Sequence, residues 1–341
     1  MVRLSRFALV ALVAAVASGA GLPVAAQQSD GARRQVTITV GFPAGGTYHA
    51  ITMLMSRHMG RHLAGNPTLV VQPKPGAGSL VAANYIANVA PRDGSALGVV
   101  GGGIILEPMF GNKQAKFDPR RINWLGSFST EVSICAVWHA SPVKTLADAQ
   151  ARQVVAGSSG RGSRTYSYPM SMNATLGTQF KVISGFKGAS GIEQAWQNGE
   201  VDSFCGYGWG GIVARHPDWI RDRKFSILAQ FGYAKHKDIP DAPLILDLMK
   251  TKKDRDAMKL LVVDTYVAWP MIAPPDLPAA TLASLRKSYL DTLADKALLA
   301  EAAKLRFEVD PVKGADIQER VKEVFATPGD VVDHAKKISG L

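Results

Sequence analysis

Three times along this chain an apolar, β-branched run ends in a glycine-rich turn and gives way to a helical stretch. That repetition constrains the fold more than any single motif. The first instance is Gln35 to Val40, then Gly41-Phe42-Pro43-Ala44-Gly45-Gly46, then a helix expected over 48–62. Ile51, Leu54, Met55, Met59 and Leu63 recur there at helical spacing. The second is a strand over 68–72, the turn Lys74-Pro75-Gly76-Ala77-Gly78, and a helix over 79–88 that Ser79 is placed to cap. The third is a strand over 153–156, the turn from Gly157 to Ser163, and a helix that Pro169 should kink or delay. Further strands are expected at 96–100, 132–138, 180–183, 201–205 and 227–230, and helices at 279–294, 296–305 and 315–325.

A strand-to-helix turn rich in glycine aims backbone N–H groups into open space at a helix amino terminus. That seats a carboxylate or phosphate without a charged side chain. Each turn taken alone is equally a plain connection that needs glycine's backbone angles. In open α/β sheets, however, the carboxyl ends of the strands are where ligands bind. The same device in both halves of the chain predicts two α/β lobes facing each other across a cleft.

Residues 1–26 read as an export leader. Arg3 and Arg6 make a basic start, 7–17 is apolar but short for a membrane span, and Val24-Ala25-Ala26 is an A-x-A-like site. Cleavage after Ala26 and a periplasmic location are expected. The formal net charge of +11 is spread over small clusters such as Arg33-Arg34, Arg120-Arg121 and Lys336-Lys337. They lack the interleaved aromatics of a nucleic-acid groove, so nucleic acid is not an expected partner. A solvated basic surface that favours anionic ligands is the reading that remains. Cys135 and Cys205, the only cysteines, can bridge in an oxidising compartment or lie as buried neighbours; the sequence leaves both open.

Enzyme signatures fail when checked. G-x-x-x-x-G-K-[ST], H-E-x-x-H and G-x-S-x-G are absent. Gly206, Gly208 and Gly211 fit G-x-G-x-x-G, but mid-chain, around Trp209, and with no clear βαβ unit behind them. His58 and His62 have an i, i+4 metal spacing, yet Arg57 and Arg61 beside them read as a solvated basic face. No catalytic residue, metal or cofactor is expected.

Phe42-Pro43-Ala44-Gly45-Gly46, Pro75-Gly76-Ala77-Gly78-Ser79, Ala90-Pro91-Arg92-Asp93-Gly94, the Gly157 to Ser163 turn, Lys187-Gly188 and Gly199-Glu200-Val201-Asp202 occur in one order. As a set they resemble the Bug family, extracytoplasmic solute receptors of tripartite tricarboxylate transporters. The resemblance implies a type II periplasmic binding-protein fold: two α/β lobes, a two-strand hinge and a ligand cleft between them. It implies a first lobe at 27–136 plus 266–341 and a second at 137–265, with crossings at 132–138 and 265–272. It implies a carboxylate ligand and membrane transporter subunits as partners; a di- or tricarboxylate or an aromatic carboxylate is expected, and the receptor itself is expected to be a monomer. A sensor kinase as the membrane partner, or an exported hydrolase or lyase using Ser163 or His49, are the alternatives.

The family site maps onto Phe42, Ala44, Gly45 and Gly46, onto Ser79, and onto Ser158, Gly160, Gly162 and Ser163. Gly45 and Gly46 would donate N–H groups; Ser79 and Ser163 would add hydroxyls or simply cap helices. His49 stands where the family usually has an acid, which makes the site more positive and disfavours an amine-bearing ligand. Tyr48, Tyr166, Tyr168 and Trp209 flank the turns and suit an aromatic ligand body, or ordinary packing.

Overall fold

The computed structural model describes residues 35–341; the expected leader lies outside them. Eleven strands form two sheets among these residues. The first sheet contains β1 (Gln35–Val40), β2 (Thr68–Pro73), β3 (Ala96–Val99) and β4 (Asn123–Ser129). The second contains β5 (Ser133–Trp138), β6 (Gln153–Ser158), β7 (Gln179–Ser184), β8 (Ser203–Gly208) and β9 (Phe225–Phe231). The chain then returns to the first sheet with β10 (Ala268–Ala273) and β11 (Val312–Lys313). The orders are β11-β4-β10-β3-β1-β2 and β7-β6-β8-β5-β9.

Parallel pairs join β1 to β2 and β3, and β6 to β7 and β8. Such strands need crossover connections, supplied here by helices. In the first lobe Ile38, Leu97 and Met271 pack against Ile51, Leu54, Met55 and Met59 of the Thr47–Met59 helix. In the second, Ile134 and Phe204 meet a cluster of Trp138, Trp196 and Trp219. The opposite face, with Val154, Ala156 and Tyr168, is continuous with residues of both lobes. The helix expected to start late at Pro169 runs unbroken from Arg164 to Leu176. Proline there removes only the bond that its N–H would have made one turn back.

The chain changes sheets between Ser129 and Ser133, so the expected boundary at 136 falls inside β5, a strand of the second sheet throughout. The return lies just ahead of β10. The two crossings touch: the Glu131 N–H donates to the Thr265 carbonyl at 2.8 Å. The final helix, Gly329–Ser339, belongs by sequence to the first-lobe portion but rests on elements of the second. His334 pairs with Asp254 at 2.7 Å, Lys253 with Asp330 at 2.9 Å, and Arg161 reaches the Gly340 carbonyl.

Cys135 and Cys205 are register partners on β5 and β8 and form a disulfide, fully buried in the second lobe. Strand pairing thus settles what the sequence left open.

Candidate functional site

A cleft of about 480 Å³ lies between the lobes. One wall is the first glycine turn and the start of its helix: Gly45, Gly46, Thr47 and Ala50. The floor is the first crossing, Thr130 to Val132, with Thr265, Tyr266 and Trp269 from the second. The facing wall is Trp209 to Gly211, and the rim is formed by loops 233–237 and 305–310.

The first turn is shaped by its glycines. Gly45 has φ of +86°, open to glycine and strained for other residues. Gly46 is the N-cap of a 13-residue helix, with no side-chain cap and no acid in the first turn. The first amides of any helix lack a helical acceptor, and the macrodipole makes that end positive. Ala44 is exposed on the turn. Phe42 stacks on Tyr48 at 3.9 Å between ring centroids, and Tyr48 meets Trp269 edge-on at 6.4 Å. His49 is half-buried on the same helix.

The other expected residues do not line this cleft. Ser79 is fully buried with φ of +79° and makes no cap; instead its Oγ accepts the Gly101 N–H at 2.9 Å. Gly41 must be glycine because a Cβ there would fall 2.2 Å from that of Ser79. In the third turn the hydroxyls satisfy the turn itself. The Gly160 N–H donates to Ser158 Oγ at 3.1 Å, Ser163 Oγ donates to the Gly160 carbonyl at 2.7 Å, and Thr165 Oγ1 lies 2.6 Å from Ser163 Oγ. Neither Ser163 nor Ser79 caps its helix by side chain. Gly162 is exposed. Tyr166 carries the Arg161 guanidinium over its ring and faces the end of the last helix. Of the thirteen candidate site residues, Gly45, Gly46 and Trp209 line the cleft.

Sequence reasoning missed a charged cluster beneath it. Arg164, the first residue of the helix after the third turn, pairs with Glu131 at 2.8 Å and approaches Asp264 at 3.6 Å. Tyr168 donates its hydroxyl to Asp264 at 3.1 Å. The Glu131 side chain is only 8% exposed, Asp264 18% and Arg164 29%. Burial pushes the Asp264 carboxyl above its ordinary range, with Arg164 opposing. Burial works against the charge on Arg164, but Glu131 and Asp264 outweigh it and leave the guanidinium more basic. Burial likewise raises the phenols of Tyr48 and Tyr168. One cation from the second lobe therefore bridges carboxylates on, or next to, both crossings. A lone acid ahead of an apolar run, Glu131 before Val132 to Trp138, was the available signal.

At the rim, Lys237 pairs with Glu308 at 2.7 Å across the lobes. Lys235 donates to the Pro240 carbonyl and Arg306 to that of Ala214. Lys235 and Arg306 pair with no carboxylate among the described residues.

The other motifs resolve differently. Glu131 occupies the space over Gly208, within 1.8 Å of where a Cβ would lie, so the G-x-G-x-x-G match is filled by a carboxylate rather than open to a phosphate. His58 and His62 pair with Glu301 and Asp295 at 2.6 and 2.8 Å, joining the first helix to the Lys296–Lys304 helix. The basic face is thus an inter-helix ion-pair seam. Among the described residues no group of three or more metal-ligating side chains converges.

Two α/β lobes joined by two crossings, with a cleft between them, define a periplasmic-binding-protein fold. The chain matches the family described as tripartite tricarboxylate transporter family receptor over residues 53–334, and it belongs to that family. It is 26% identical over 243 residues to the "UPF0065 protein in gbd 5'region" of Cupriavidus necator, covering 67% of this chain and 68% of that protein. Its fold is similar to that of an adipate-bound protein from R. palustris, with TM-score 0.67, 19% identity and coverage of 91% and 99% of the two chains. It is also similar to malate-bound MatC from Rhodopseudomonas palustris, with TM-score 0.62, 18% identity and coverage of 88% and 99%.

Proposed function

We propose that this protein is a non-catalytic periplasmic receptor. It captures a small carboxylate in the interlobe cleft and presents the closed form to the membrane subunits of a tripartite tricarboxylate transporter. One observation carries the reading: the uncapped, acid-free amino end of the Thr47–Met59 helix opens directly onto the cleft. An anion there gains several N–H donors and the favourable end of the helix dipole. Lys235 and Arg306 at the rim add positive potential that draws in anions. The leader expected over 1–26 and the family support export, and the similar folds that carry adipate and malate support a carboxylate ligand. Closure follows when the ligand contacts both lobes at once and so favours the conformation in which they meet.

The test is native mass spectrometry of protein purified from the periplasm, followed by thermal shift against a carboxylate panel that includes adipate and malate. One unaltered acid bound per chain, with a raised melting temperature, is the expected result. Turnover of the acid, or no stabilisation by any member of the panel, refutes the reading.

A further inference from the structure

We propose that Arg320, which lies outside the cleft, is a positioning residue for two rings that line it, Tyr233 and Tyr266; the inference rests on the receptor reading above. Tyr233 follows β9 of the second sheet and stands on the rim, and Tyr266 lies on the floor, in the second crossing. Their rings meet edge-on at 6.1 Å between centroids. Arg320 comes from the Gly314–Phe325 helix, which packs on β4 of the first sheet. Its guanidinium lies 5.0 Å from the Tyr266 ring centroid and 5.3 Å from that of Tyr233. One cation of the first lobe thus holds a ring of the second lobe and a ring of the crossing between them.

The bonding of Arg320 points to the rings as the reason for an arginine here. Its Nη1 pairs with Glu323 at 2.8 Å, three residues on along the same helix. Its Nε is buried with no hydrogen-bond partner among the described residues, and a donor left so costs stability. Methionine, of similar length, would bury no such donor. It would also lose the attraction of a cation for ring faces. Tyr233 needs that attraction. It lines both the cleft and a second cavity of about 270 Å³, so its ring has space on two sides. Its hydroxyl is fixed, donating to the Lys259 carbonyl at 2.8 Å, and Arg320 holds the ring itself.

Calorimetric titration with adipate, malate and any further acid that stabilises the wild type tests the proposal, joined by thermal unfolding and by NMR of ring-labelled tyrosine. Arg320→Met should weaken binding about fivefold and shift the Tyr233 and Tyr266 ring signals, while its melting temperature stays level or rises. Arg320→Lys keeps the cation and should bind within about twofold of the wild type. Unchanged affinity in Arg320→Met, equal losses in the Met and Lys variants, or unmoved ring signals overturn this inference and leave the receptor reading intact. Failure of every acid to bind the wild type overturns both. Should Arg320→Met not fold, Arg320→Gln, which also lacks the charge, takes its place.

Discussion

Gly46→Asp separates stability from binding at the first turn. Gly46 has φ of −81° and ψ of 170°, an extended conformation open to any residue. The nearest atom to a Cβ there is the Pro43 carbonyl oxygen at 3.7 Å, so a side chain fits without strain. Aspartate is a better N-cap than glycine by a few tenths of a kcal/mol, and its charge complements the helix dipole; together these should raise stability by about 1 kcal/mol. The same carboxylate would occupy the amides proposed to hold the ligand. Two like charges about 4 Å apart, at an effective dielectric of about 20, repel by about 4 kcal/mol, roughly a thousandfold in affinity. Gly46→Asn supplies the cap without the charge and should cost far less. Thermal unfolding and calorimetric titration with whichever acid stabilises the wild type read the two effects separately. An Asp variant that is more stable yet binds the acid with unchanged affinity would refute the argument that these amides seat the carboxylate.

Arg164→Met strands Glu131 and Asp264 without their cation. Allowing for the partial exposure of Arg164, the loss should be about 3 kcal/mol near neutral pH. Asp264 is already raised by burial, and losing Arg164 raises it further. A carboxyl raised in the folded state binds more protons than in the unfolded chain, so stability is retained near pH 4 and falls as pH rises through the raised value. Urea unfolding at about pH 5 and pH 8 should show the larger loss at the higher pH, and an equal loss at both would sink the assignment. Replacing both cysteines by alanine opens a link spanning 70 residues, and the chain-entropy relation gives a loss of about 4 kcal/mol. Denaturant midpoints check it; a change under about 1 kcal/mol would mean that the unfolded chain gains little freedom.

The strands that were legible in the sequence are those built from β-branched or apolar runs, such as Gln35–Val40 and Phe225–Phe231. β4 was not: Asn-Trp-Leu-Gly-Ser-Phe-Ser reads as a loop, yet it is almost wholly buried. Gly126 within it is required because Tyr289 lies against the backbone, a contact that no local pattern announces. The Lys252–Leu261 helix was obscured by charge, since its apolar contacts gather at Ala257, Met258, Leu260 and Leu261. At the site, the first turn was readable because its geometry is local. Arg164, Glu131, Asp264 and Trp269 were not, because they converge from separate segments only once both crossings are in place. The serines of the third turn invited a ligand role by type, but they are occupied by the Gly160 backbone and Thr165.

The docking of the last helix bears on how the lobes can part. Two adjacent tethers alone would leave the lobes free both to swing and to twist about one another. The Gly329–Ser339 helix departs from first-lobe elements and is fastened to the second by His334–Asp254 and Lys253–Asp330. It is a third mechanical link, well removed in sequence from the other two. A rotation that opens the cleft must therefore bend the chain near Thr327-Pro328 as well as at the crossings, or else detach the helix. Twisting meets added resistance, because an attachment set apart from the two neighbouring crossings opposes a rotation that those two alone would allow.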